Sequence, residues 1–134
     1  MNQQIRIPYT PRPLQAEFHS KQRRFSVAVC HRRFGKTVMA INWLLKEILT
    51  SSRKNAVGAY IAPTYGAAKR IAWAMLREYA GVLPLVNFNE AELRCDLPDN
   101  KKIYLLGSEN PDSLRGMGLT AVCMDEYADM DARL

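Results

Sequence analysis

Val27-Ala28-Val29-Cys30-His31-Arg32-Arg33-Phe34-Gly35-Lys36-Thr37 is the stretch on which the reading of this chain turns. A β-branched apolar run leads into a basic turn, the turn closes on Gly-Lys-Thr, and a helix-forming run starts at Val38. Strand, turn and helix in that order make a site for phosphate. The first N–H groups of a helix lack intrahelical partners, and the aligned peptide dipoles add partial positive charge at the same place. Gly35 lets the backbone pass close to a ligand. From there the Lys36 ammonium reaches β- and γ-phosphates, and the Thr37 hydroxyl is a ligand for Mg²⁺.

The P-loop pattern G-x-x-x-x-G-K-[ST] calls for glycine where this chain has Cys30. Taken alone, the turn reads equally as an ordinary helix start with a solvated Lys36 and Thr37. The rest of the chain decides. Its 134 residues suit one small domain with a real core, and a 48% hydrophobic composition without low-complexity tracts is that of a globular protein. No apolar run is long enough to span a membrane, and residues 1–13 lack the apolar centre of a signal peptide. Cys30, Cys95 and Cys123 are odd in number, far apart and set in apolar runs. Reduced thiols in a cytoplasmic protein are expected, without a disulfide framework or zinc site.

Charge is unevenly spread along the chain. Residues 1–37 carry eight basic and one acidic side chain, 38–86 six and two, and 87–134 five and ten. The front is therefore basic and the last third acidic, although the whole has net charge +6. A basic front suits nucleotide phosphates or nucleic acid, and also a merely solvated face.

A short helix is expected to begin near Thr10 or Pro13. It carries Gln15, whose amide can both donate to and accept from the edge of adenine. The run 38–49 is apolar nearly all round, as for a helix buried against a sheet, with Trp43 in the core. Residues 56–62 read as a strand. A helix over 67–80 follows, with Ala68, Ile71, Ala72, Met75, Leu76 and Tyr79 on one face. Strand–helix alternation predicts an α/β fold with parallel strands, whose C-terminal edge binds ligands. Leu93–Leu97, Pro98-Asp99-Asn100 and Ile103–Leu106 read as a β-hairpin, expected as an antiparallel insertion.

Thr120-Ala121-Val122-Cys123-Met124-Asp125-Glu126 is an apolar strand running into paired acids, the form of a Walker B motif. A solvated acidic turn has the same letters. As Walker B, Asp125 ligates Mg²⁺ directly or through water, and Glu126 orients and deprotonates the attacking water. Together with Gly35-Lys36-Thr37, 88 residues before Asp125, the pair supports an ATP-hydrolysing P-loop site of the ASCE branch, the glutamate following the metal aspartate.

From about Tyr9 onward the chain resembles the N-terminal half of the ATPase domain of bacteriophage large terminase subunits. Arg12-Pro13-Leu14-Gln15 resembles the adenine-binding Q motif, and His31–Thr37 the family's deviant Walker A, in which the first glycine is often absent. Ile61-Ala62-Pro63-Thr64-Tyr65 resembles the segment after the second strand, and Ser113–Gly116 with Val122–Glu126 the run into Walker B. The resemblance implies a RecA-like parallel sheet flanked by helices, incomplete at its C-terminus. It implies Arg32, or alternatively Arg33, as an arginine acting in cis, and Arg115 as a finger supplied in trans to a neighbouring subunit. An exposed loop arginine is the plainer reading of Arg115. ATP and Mg²⁺ are the implied cofactors. Double-stranded DNA, a small terminase subunit, a portal protein and a homo-oligomeric ring are the implied partners, in the cytoplasm of a host carrying a phage or prophage.

The expected organisation is a Q-motif region over 1–24 and a Walker A to Walker B core over 25–126, with the nuclease domain of terminases absent. In the ASCE arrangement the strand following Walker B lies between the Walker A and Walker B strands. The chain is therefore expected to be a fragment or truncated product that is not a competent ATPase alone. A helicase-like ATPase and a non-catalytic remnant that binds DNA or terminase subunits are the other readings.

Overall fold

The computed structural model describes residues 6–24, 26–28, 35–109, 111–114 and 116–126. Helix α1 spans Pro13–Lys21, opened by a proline whose missing N–H costs nothing at a helix start. Helix α2 spans Lys36–Thr50 and strand β1 Val57–Ala62. Helix α3, Tyr65–Ala68, is capped by the Thr64 hydroxyl, which accepts the Ala67 N–H at 3.0 Å. It runs through a π-helical stretch, Lys69–Trp73, into α4, Ala74–Ala80. Strands β2 (Asn87–Asn89), β3 (Arg94–Leu97), β4 (Lys101–Gly107) and β5 (Leu119–Met124) complete the sheet.

The strand order is β2-β3-β4-β1-β5. β1 pairs in parallel with β4 on one side and with β5 on the other. β3 runs antiparallel to both of its neighbours, β2 and β4. Residues 58–62 of β1 are all buried, as the centre of a parallel sheet requires. Tyr60 and Ala62 face the core made with Ile41, Leu44, Leu45 and Ile48 of α2 and with Ala68, Ala72, Leu76 and Ala80 of the long helix. The four-residue spacing of that last set puts three alanines and a leucine on one face, against the sheet. Ala59 and Ile61, on the opposite face, pack with Leu106, Leu114, Met117 and Val122. Trp43 packs against the first core, as expected.

Two expectations need amendment. The hairpin is present, with β3 and β4 joined by a turn at Pro98–Asn100, but its second arm is more than an insertion. β4 also pairs in parallel with β1, so the chain from β1 to β4 is a crossover as well. The hairpin pattern of alternation carried no sign of this, because a strand's partners lie elsewhere in the chain. The strand expected at the front of the phosphate turn is likewise not seen in its described part. Residues 26–28 have no strand structure and Val27 is 90% exposed. A β-branched residue favours a strand only against a neighbouring ladder. β5 is the outer strand of the described sheet, and 26–28 do not pair with it. Phe25 and residues 29–34 lie outside the described residues.

Buried Lys101, at the start of β4, donates from Nζ to the carbonyls of Leu49 (3.2 Å) and Ser51 (2.9 Å). It satisfies carbonyls at the C-terminus of α2 and places a cation at the negative end of that helix dipole. Lys101→Met keeps the buried stem but removes both bonds, and is expected to lower stability by about 1–3 kcal/mol. A urea unfolding curve with an unshifted midpoint would refute this capping role.

Candidate functional site

The start of α2 is set by Gly35, which takes the left-handed conformation (φ 81°) immediately before the helix. Its carbonyl accepts the Met39 N–H at 3.0 Å and also the Gln15 side-chain N–H at 3.0 Å. At the other end of that amide, Gln15 Oε1 accepts the Arg12 backbone N–H at 2.9 Å. Gln15 is buried. In this structure its amide ties α1 to the phosphate turn, a role that the adenine reading of the sequence did not include. The N–H groups of Lys36, Thr37 and Val38 are first-turn donors with no intrahelical acceptor.

Opposite this turn stands the end of β5. The Asp125 backbone N–H donates to the Ile61 carbonyl at 2.9 Å, which continues the β1–β5 ladder past the last strand residue. Lys36 Nζ lies 3.6 Å from Asp125 Oδ1 and 3.2 Å from Glu126 Oε1. The Thr37 hydroxyl donates to Asp125 Oδ2 at 3.3 Å. The Glu126 hydrogen bond, followed by the charge of Asp125, outweighs partial burial and raises the Lys36 pKa above its ordinary value. Lys36 is therefore a cation at all physiological pH. Glu126 has φ 57°, a conformation uncommon outside glycine, and its side chain is half exposed.

The structure thus brings Gly35, Lys36, Thr37, Asp125 and Glu126 together at the C-terminal edge of parallel strands, with Gln15 behind the turn. Arg32, Arg33 and Arg115 lie outside the described residues, as does Cys30. Thr37 and Asp125 offer a hydroxyl and a carboxylate on one point, hard oxygen donors that fit Mg²⁺. The one Lys36 ammonium is shared between the two carboxylates.

Sequence reasoning passed over Tyr60. Its ring is fully buried in β1, and its hydroxyl donates to Asp125 Oδ2 at 2.5 Å. Burial first, and then this bond, hold the phenol protonated far above the usual tyrosine range. Only a strand-by-strand register, with Tyr60 opposite Cys123, reveals that it reaches Asp125. The thiols of Cys95 and Cys123 are pushed up to about 12 by burial, which leaves them poor nucleophiles. Among the described residues there is no cluster of three or more His, Cys, Asp or Glu side chains, and no helix long and apolar enough to cross a membrane.

No protein-family profile matches the sequence, and no curated protein matches it. Solved structures do. The ATPase domain of the Thermus phage P74-26 large terminase superposes with a TM-score of 0.75 at 26% identity, over 93% of this chain and 57% of that one. This chain is similar to phage large terminase ATPase domains. The large terminase of a second, thermophilic bacteriophage shares the fold, with a TM-score of 0.70 at 20% identity, over 93% of this chain and 33% of that one. The chain therefore spans a little over half of the first terminase domain and a third of the second protein. The likeness supports a terminase-like role, and the mixed sheet with its parallel strands and packed helices is a P-loop NTPase-like α/β fold.

A larger residue at Gly35 would have to displace the side-chain ends of Arg12 and Gln15. A Cβ there would sit 2.6 Å from both Arg12 Nη2 and Gln15 Nε2, on a backbone with φ +81°. Gly35→Ala is expected to cost about 1–2 kcal/mol from the left-handed backbone alone, with displacement of Gln15 in addition. A thermal unfolding midpoint equal to that of the wild type would overturn this account of the turn.

Proposed function

We propose that the chain is the ATP-binding and hydrolysing motor module of a phage large terminase, which drives double-stranded viral DNA into a capsid. The observation that carries the reading is the meeting of Lys36 and Thr37 with Asp125 and Glu126 at the N-terminus of α2. In this reading the first-turn N–H groups of α2, with Lys36, hold the β- and γ-phosphates. Thr37 and Asp125 hold Mg²⁺, which when bound neutralises charge on the phosphate oxygens. Glu126, half exposed beside Lys36, orients the attacking water and takes its proton as the bond to the γ-phosphorus forms. Inorganic phosphate leaves and ADP remains. Arg32 or Arg33 stabilises developing phosphoryl charge from within the subunit, and Arg115 does so across a ring interface. Gln15 is proposed to read adenine while tying α1 to the phosphate turn. The basic front of the chain faces DNA, and a small terminase subunit and a portal protein complete the machine inside the host cytoplasm.

Lys36→Ala is expected to abolish ATP binding in equilibrium titrations of the full-length protein. Glu126→Gln is expected to keep binding and reduce turnover in the full packaging motor by at least about 100-fold, the lower range for general-base removal. Normal hydrolysis by Glu126→Gln would remove the glutamate from its assigned role.

For Arg115, mixed rings supply the test. Doping Arg115→Ala subunits into wild-type rings is expected to depress turnover more steeply than their fraction. A linear dilution would exclude a finger acting in trans.

A further inference from the structure

We propose that Tyr60 is a positioning residue that selects which oxygen of Asp125 faces the metal and phosphates. This role rests on the nucleotide-site reading above and extends it to a residue in the sheet beneath the site. The carboxylate of Asp125 is held asymmetrically. Oδ2 accepts the Tyr60 hydroxyl at 2.5 Å and the Thr37 hydroxyl at 3.3 Å, whereas Oδ1 is the oxygen 3.6 Å from Lys36 Nζ. Tyr60 therefore turns Oδ1 toward the ammonium side, where phosphate and cation would meet.

The support behind that hydroxyl is rigid. Tyr60 is fully buried and lies in β1, paired with Leu105 of β4 on one side and Cys123 of β5 on the other. Its ring packs in the core beneath α2. A swing of the phenol would need repacking of that core, and close-packed interiors resist it. The next residue of the same strand, Ile61, accepts the Asp125 backbone N–H. β1 thus grips Asp125 twice, by main chain and by side chain. Thr37 is different, because its hydroxyl can coordinate a cation through an oxygen lone pair and still donate its proton to Oδ2. Tyr60 is buried in the sheet and bonds Asp125 itself, so its contribution passes through the carboxylate.

Hydrogen-bond partners behind a metal-binding carboxylate change metal affinity by about 10- to 100-fold when removed. Tyr60→Phe keeps the ring and removes only the donor. Mn²⁺ titrations of the full-length protein followed by electron paramagnetic resonance, with a non-hydrolysable ATP analogue bound, should show about tenfold weaker Mn²⁺ affinity in Tyr60→Phe. Binding of the same analogue in EDTA should be unchanged, and the melting temperature should stay within a few degrees of wild type. In an Asp125→Asn background, Tyr60→Phe should have no further effect on Mn²⁺ affinity, because the residue acts through that carboxylate. Wild-type Mn²⁺ affinity in Tyr60→Phe would overturn the proposal. An equal loss of metal-free analogue binding would do the same, since it marks a general packing defect. If the full-length wild-type protein binds no analogue with or without metal, the nucleotide-site reading falls first and this role falls with it.

Discussion

Parallel pairing of β1 on both of its sides is the constraint on which the molecule depends. Parallel neighbours cannot be joined by tight turns, so the chain leaves the C-terminal end of β1, crosses by the long helix and returns through the hairpin to run β4 in the same direction. β5 repeats the direction on the other flank. All three strands therefore end at one edge, and the segments that follow them meet there. The meeting is tight. A Cβ on Gly107 would lie 2.2 Å from the Tyr65 nitrogen, and the Ser108 hydroxyl donates to the Pro63 carbonyl at 3.0 Å. The Glu109 carboxylate accepts the Tyr65 N–H at 2.6 Å.

At that edge the acids of β5 face the start of α2, and the electrostatics follow from the juxtaposition. Lys36 balances Asp125 and Glu126 in a setting that is 43% open at the lysine, so water keeps much of the Coulomb attraction small. A weakly held ammonium can change partners. Asp125 is more enclosed, with 12% of its side chain exposed, and it is the better fastened of the two acids. Tyr60, Thr37 and the backbone of Ile61 all hold it, whereas Glu126 is bonded to Lys36 and keeps an open side for solvent. That difference matches a structural division between a group that stays and a group that reaches outward.

Much of this was legible in the letters. The two ends of the site carry local signals: glycine before a helix start, an apolar strand running into two acids, and a helix-period pattern between them. Helix α2 begins at Lys36, two residues ahead of the apolar run that announced it, because Gly35 supplies the turn. The hairpin turn showed in Pro98-Asp99-Asn100, where Asp99 and Asn100 take positive φ, a conformation that short polar side chains tolerate. The long helix was legible as an apolar face with Ala68, Ala72 and Leu76 in the core, but Ile71 of that expected face lies exposed, Trp73 is buried instead, and the π-helical stretch at Lys69–Trp73 left no mark in the pattern. Val27 misled, since its β-branched side chain carries strand propensity only where a ladder exists to receive it.

The sequence by itself determined the class of the fold, most of its helices and strands, and the four polar residues at the two ends of the site. These depend on short-range physics, namely helix period, turn chemistry and the alternation of apolar side chains. Tertiary structure alone decided that β4 lies beside β1, that Gln15 holds the carbonyl of Gly35, and that Tyr60 fastens Asp125. Each of those contacts joins residues between 20 and 65 positions apart, or strands separated by a whole crossover. No local preference encodes them, because a buried hydroxyl or amide finds its partner only after the strands have taken their register.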